Sequence, residues 1–302
     1  MIITENLTKR FNGILAVEGL SLQVREGEVF GFLGPNGAGK TTTVRLLTSL
    51  ISPTGGTAVV NGFTVGKEDI QIRRTVGILT ETPGLYDNLS AEYNLQIFAS
   101  LYEVKDPATQ VEKYLRMLGL WERRFDEVAM FSKGMKQKLA VARALLHEPK
   151  ILFLDEPTAA LDPESAHLVR DFIDELRKEG RTIFLCTHNL DEADRLCDRV
   201  AVFKTRMLVM DTPARLRSQL FGRKVVFHLR TMDDKLVSLL QALPFVRETK
   251  AIDNKLLVTL DDPESHNPEI LRLLVGAGAD VQFVGELRHS LEDVYLQLVK
   301  NA

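Results

Sequence analysis

The segment that most restricts what this chain can fold into reads Gly34, Pro35, Asn36, Gly37, Ala38, Gly39, Lys40, Thr41. It follows a run, Glu28 to Leu33, that reads as a buried strand, and it leads into an apolar helical segment, Thr41 to Leu50. The spacing G-x-x-x-x-G-K-[ST] between a strand and a helix is a P-loop. Its glycines let backbone N–H groups close around β-phosphate oxygens, and the helix N-terminus adds a dipole that favours anions. Lys40 is placed to neutralise β/γ-phosphate charge, Thr41 to offer a hydroxyl to Mg²⁺, and Thr42 to reach the α-phosphate.

A second strand ends in chemistry. Lys150 to Leu154 is short and apolar after its lysine, as suits a strand covered on both faces, and Asp155 and Glu156 follow directly. Ligands of open α/β sheets bind at the carboxyl ends of the strands. Asp155 is therefore expected as the magnesium-binding acid. Glu156, on the other side of the chain, is the natural general base for an attacking water.

At about 150 residues per domain, 302 residues suggest two domains, and 45% apolar residues suffice for two cores. From Ile2 to about Met210 short strands alternate with helices, the pattern of an α/β domain with a mainly parallel sheet. Residues from about 82 to 147 carry helical patterns only: Ala91 to Glu103, Asp106 to Leu118 with Asp-Pro at its start, and Gly134 to His147. They read as a helical insertion. From Gly222 the order strand, helix, strand, strand, helix, strand, helix suggests a small ferredoxin-like α+β domain, so the expected division is 1–221 and 222–302.

A net charge of -3 leaves no global basic field, and no nucleic-acid partner is expected. Lys133, Lys136 and Lys138 read as a solvated helix face. No apolar run reaches 18 residues, and the first residues lack a signal-peptide pattern, so a soluble cytoplasmic chain is expected. Two cysteines, Cys186 and Cys197, cannot build a disulfide framework and are expected as buried small hydrophobes in a reducing compartment.

With the P-loop and the paired acids in place, further residues resemble the ATP-binding subunits of ABC transporters. Phe131-Ser-Lys-Gly-Met-Lys-Gln137 stands 23 residues ahead of Asp155, counted from Ser132, and opens a helix as the family's L-S-G-G-Q signature does. Ser132 and Gly134 match that signature, whereas Lys133 and Met135 depart from it. Asp162 is similar to the D-loop acid, Thr187-His188 to the switch histidine, and Phe11 to the aromatic that stacks on adenine. Glu81 falls where the family carries the Q-loop glutamine. This Glu, the form of the signature and the extra C-terminal domain resemble ABC-2 type exporters.

The resemblance implies the fold and a mechanism. The fold would be a P-loop NTPase of ABC type with a mainly parallel sheet, an antiparallel β edge and a helical subdomain. Two cassettes would close head to tail around two ATP and Mg²⁺, as a homodimer or with a paired ATPase subunit. Ser132 and Gly134 of one would complete the other's site. Glu156 would be the base, His188 would organise γ-phosphate and water, and Glu81 would help hold magnesium or the water. The chain would power an exporter from the cytoplasmic face of the membrane through a separate integral-membrane permease. The competing readings are a soluble ABC-type ATPase and a nucleotide-sensing switch.

Overall fold

The strand that feeds the P-loop, Val-Phe-Gly-Phe-Leu, is buried at every residue, and the other elements assemble around it. The computed structural model of the protein describes residues 1–80, 82, 84–159, 161–287 and 289–300. Glu81, expected in the site, lies outside the described residues.

In chain order the elements are β1 (Ile2–Phe11), β2 (Ile14–Val24), β3 (Val29–Leu33), α1 (Lys40–Leu47), β4 (Gly55–Val60), β5 (Phe63–Thr64), α2 (Asp69–Thr75) and β6 (Val76–Leu79). Next come α3 (Ala91–Leu101), α4 (Pro107–Met117), α5 (Lys133–Leu145), β7 (Ile151–Asp155), α6 (Pro163–Lys178), β8 (Thr182–Thr187), α7 (Leu190–Leu196), β9 (Arg199–Lys204) and β10 (Arg206–Asp211). The remainder is α8 (Pro213–Phe221), β11 (Arg223–Leu229), α9 (Asp234–Gln241), β12 (Val246–Ile252), β13 (Lys255–Leu260), α10 (Pro263–Gly276), β14 (Val281–Leu287) and α11 (Leu291–Lys300).

The described residues form three sheets. The central one has the order β10-β9-β3-β8-β7-β6, parallel except for the antiparallel β10 at its edge. A separate antiparallel sheet, β2-β1-β4-β5, supplies the expected antiparallel part. Phe30 and Phe32 of β3, Phe153 of β7, Phe184 of β8 and Phe203 of β9 are fully buried in tilted pairs with ring centroids 4.6 to 5.6 Å apart. Each such side chain contributes about 1.5–3 kcal/mol by burial. This aromatic core holds the strand ends that carry the site.

Between β6 and β7 the described residues form no strand, only the single bridge Ser90 to Glu127, as the helical insertion requires. Its helices start where their caps dictate. Ser90 accepts from the Tyr93 N–H, Asp106 from the Thr109 N–H with Pro107 in the first turn, and Ser132 from the Met135 N–H. Lys133 is the first residue of α5 and lies outside the positive-φ residues, so its departure from glycine costs no backbone strain.

The chain divides into two compact units, Met1–Thr212 and Pro213–Ala302. Helix α8 thus goes with the second unit, where the sequence places the boundary nine residues later, after Phe221. The second unit carries the antiparallel sheet β12-β13-β11-β14, the strand order and β-α-β-β-α-β succession of a ferredoxin-like fold. Its own core is formed by Val225, Phe227, Leu256, Val258, Ile270, Leu274 and their neighbours.

Candidate functional site

Three parallel strands, β3, β8 and β7, lie side by side and end at one edge of the central sheet. Their ends deliver the P-loop, His188 and the Asp155–Glu156 pair respectively. β8 stands between the other two, so the histidine emerges between the phosphate loop and the acids.

The loop's shape is written in two close approaches. A Cβ on Gly34 would stand 2.3 Å from the Phe203 carbonyl oxygen, and one on Gly39, at φ 105°, would stand 2.3 Å from that of Ala16. No side chain fits either place. The result is a groove of about 300 Å³ lined by Ala16, residues 35–42, Asp155 and Glu156. A cradle of backbone at a helix N-terminus, with a lysine, suits a polyphosphate.

The polar groups converge across that groove. Thr41 Oγ1 donates to Asp155 Oδ2 at 2.7 Å, which puts a hydroxyl and a buried carboxylate side by side, a hard-oxygen donor set. Lys40 is buried, donates to the Gly34 carbonyl at 2.7 Å, and stands 3.3 Å from Glu156 Oε1. The other oxygen of Glu156, Oε2, is 2.8 Å from His188 Nδ1. Glu156 thus bridges a buried ammonium and an imidazole that is more than half exposed. Its backbone is left-handed, φ 52°, while its N–H still donates to the Cys186 carbonyl at 2.9 Å. That conformation costs a non-glycine residue roughly 1 kcal/mol. In this conformation its side chain reaches both Lys40 and His188.

A second group of expected residues gathers at the starts of α5 and α6. Asp162 caps α6 by accepting from both the N–H (2.9 Å) and the Oγ (2.7 Å) of Ser165, bonds that hold its carboxyl below the usual range. Gly134 is buried against this cap: a Cβ there would stand 2.7 Å from Ser165 Oγ. Ser132 is exposed. None of the three lines the P-loop groove. Gln137, also in α5, donates to the Pro157 carbonyl at 2.9 Å and ties this helix to the turn that carries Glu156. Phe11 ends β1, 44% exposed, with Lys9 Nζ 4.9 Å from its ring centroid. Both cysteines are buried and free.

Comparison with known proteins gives the family. The model of the ABC transporter family matches residues 17–159, and that of the ATP-binding protein DrrA1-3-like C-terminal domain matches residues 212–299. The bacitracin transport ATP-binding protein BcrA of Bacillus licheniformis is 34% identical over 99% of this chain and 97% of its own length. The chain is an ABC transporter ATP-binding protein. The Nod factor export ATP-binding protein I of Rhizobium sp. (strain N33) is 34% identical over 96% of this chain and 94% of its own. A dimeric bacterial ABC transporter cassette of known structure superposes with a TM-score of 0.65 at 26% identity, covering 70% of this chain and 98% of that one.

As a member of that family the cassette binds and hydrolyses ATP as the energy-supplying subunit of a transporter. No helix among its described residues is long and apolar enough to cross a membrane. Two contributors to the site go without an assigned role in the sequence. Ala16, in β2, lines the groove with its carbonyl oxygen against Gly39, and Gln137 closes the signature-like segment, where spacing alone does not show that it reaches the Glu156 turn.

Proposed function

We propose that this cassette drives export, working as one of a pair of ATP-binding subunits attached to an integral-membrane permease at the cytoplasmic face of the membrane. The observation that carries the catalytic part is the bridge Lys40–Glu156–His188 standing beside Thr41 and Asp155. A nucleotide-sensing switch has no need of a carboxylate held between a lysine and a histidine at a phosphate loop. Export is supported by relatives that match nearly the whole chain and are named for transport of bacitracin and export of Nod factor.

In this reading the ATP phosphates lie in the groove, with the loop's N–H groups on the β-phosphate and Phe11 against adenine. Their negative charge draws the Lys40 ammonium off Glu156, which frees one carboxylate oxygen to accept a proton from the attacking water. His188, held on the other oxygen, donates toward the γ-phosphate and fixes the direction of that carboxylate. Thr41 and Asp155, with Glu81, would hold Mg²⁺, which when bound neutralises charge on the β- and γ-phosphates. Ser132 and Gly134 of a second cassette would present the α5 N-terminus to the γ-phosphate.

The test is Glu156→Gln, which keeps size and hydrogen bonding but cannot take the proton. Turnover should fall by a factor on the order of 10² or more with ATP still bound. By light scattering, the variant should become a dimer in Mg-ATP and remain monomeric in Mg-ADP. Adding Ser132→Arg should abolish that dimer while the monomer still binds ATP. Parental turnover in Glu156→Gln would remove Glu156 from the mechanism.

A further inference from the structure

The helix that follows the switch histidine begins Asn189-Leu-Asp-Glu192, the spacing of a capping box. In such a box the acid at the third helical position accepts from the backbone N–H of the cap residue, at the surface. Here half of the pattern is kept: Asn189 Oδ1 accepts from the Glu192 N–H at 3.1 Å. The other half is rerouted. The Asn189 N–H donates to Thr187 Oγ1 at 3.0 Å, and that hydroxyl in turn donates to Glu192 Oε2 at 3.3 Å. Glu192 points inward and is 1% exposed.

The relay encloses His188. Thr187 Oγ1 and the Asn189 N–H close a turn around the single residue between them, whose own N–H lies 3.4 Å from Glu156 Oε2 and whose ring lies 2.8 Å from the same oxygen. A buried hydroxyl that accepts from Asn189 still has its own proton to satisfy, and the Glu192 carboxyl is the acceptor that fixes its direction. The Thr158 hydroxyl, two residues beyond Glu156, lies near the same carboxyl and favours its charged form. One buried acid therefore lies beside both turns that carry the site, the one after β7 and the one after β8.

We propose that Glu192 is a positioning residue for ATP hydrolysis, aligning the Thr187 hydroxyl so that the 187–189 turn holds His188 on Glu156. The proposal rests on the reading of Glu156 and His188 as residues of hydrolysis. A buried acid is an expensive way to end a short helix, since burial pushes its carboxyl up from the usual range against the pull of the Thr158 and Thr187 hydroxyls and Arg170. An exposed glutamate would cap α7 equally well.

The experiment uses the full chain, single-turnover hydrolysis of ATP, and calorimetric ATP binding. Glu192→Ala should slow hydrolysis about 10- to 100-fold, the range for a small misplacement of a reacting group, with ATP affinity within about twofold of the parent. Thr187→Val should do the same, and it carries the test if Glu192→Ala does not fold. Glu192→Gln keeps an acceptor oxygen and should recover most of the rate. In a His188→Ala background Glu192→Ala should cause no further loss, because the residue through which it acts is gone. Parental rates in Glu192→Ala and Thr187→Val, a Gln variant as slow as the Ala variant, or a loss that multiplies with that of His188→Ala would overturn the proposal. If His188→Ala by itself leaves the rate unchanged, the reading of His188 fails, and the positioning role falls with it.

Discussion

Lys40 is the buried cation that faces Glu156, 3.3 Å away, with Asp155 preceding that residue at the end of β7. Lys40→Ala removes the ammonium that faces the phosphates. A charge-assisted hydrogen bond is worth about 1.5–3 kcal/mol, so ATP affinity should drop about 10- to 100-fold. Calorimetric titration with Mg-ATP measures it, and near-parental affinity would contradict the placing of the phosphates in this groove. The same substitution leaves Glu156 without its buried cation, so the melting temperature should fall as well.

Elements meet through single small contacts whose strength can be tested. The starts of α5 and α6 approach so closely that a Cβ on Gly134 would stand 2.7 Å from Ser165 Oγ, the hydroxyl that donates to Asp162, the cap of α6. Gly134→Ala should therefore destabilise by about 1–3 kcal/mol in denaturant titration. Ser165→Ala added to it should recover part of that loss, since the clashing oxygen is gone; purely additive effects would place the clash elsewhere.

The far end of the same helix is pinned to the core sheet. His147 Nε2 lies 3.0 Å from the Val76 carbonyl oxygen of β6, and its ring stacks on Tyr102 at 4.0 Å. Burial holds this imidazole below its ordinary range, opposed by the Val76 bond and assisted by Arg181. In the unfolded chain it takes up a proton as pH falls through about 6.5. In the folded chain it stays neutral to lower pH. Its contribution to stability is therefore complete above about pH 6.5 and declines as pH falls toward the depressed folded value. His147→Phe can keep the stacking but loses the Val76 bond, so it should be less stable by about 1 kcal/mol at pH 8. The gap should narrow below pH 6.5 in parallel denaturation series, and a constant gap would show that His147 protonates equally in both states.

At the scale of the whole molecule, each unit has a core of its own, and every residue of the P-loop groove belongs to the first. A chain ending at Thr212 should fold and bind Mg-ATP within about threefold of the full-length affinity, read by calorimetry and circular dichroism. A folded truncate that has lost binding would give the second unit a part in the nucleotide site.

Much of this was legible in the chain itself. A P-loop is a local device: its glycines, lysine and threonine are neighbours in sequence, so eight consecutive residues specify the cradle and its chemistry. The same holds for the helix starts, where Ser90, Asp106 and Ser132 cap the turn that follows them, and for the strand order of the C-terminal sheet, which follows from its succession of elements. What spacing along the chain could not state is which strands become neighbours. β8, late in the sequence, inserts between β3 and β7, and only that insertion sets His188 against Glu156 and leaves Glu156 within reach of Lys40. Nor could composition tell an exposed capping acid from a buried one. Asn189-Leu-Asp-Glu192 spells the same cap in either case, and whether Glu192 turns out to water or in to Thr187 is decided by the walls packed around α7. Bonds between near neighbours are encoded in sequence; contacts between strand ends exist only once long-range packing has paired the strands.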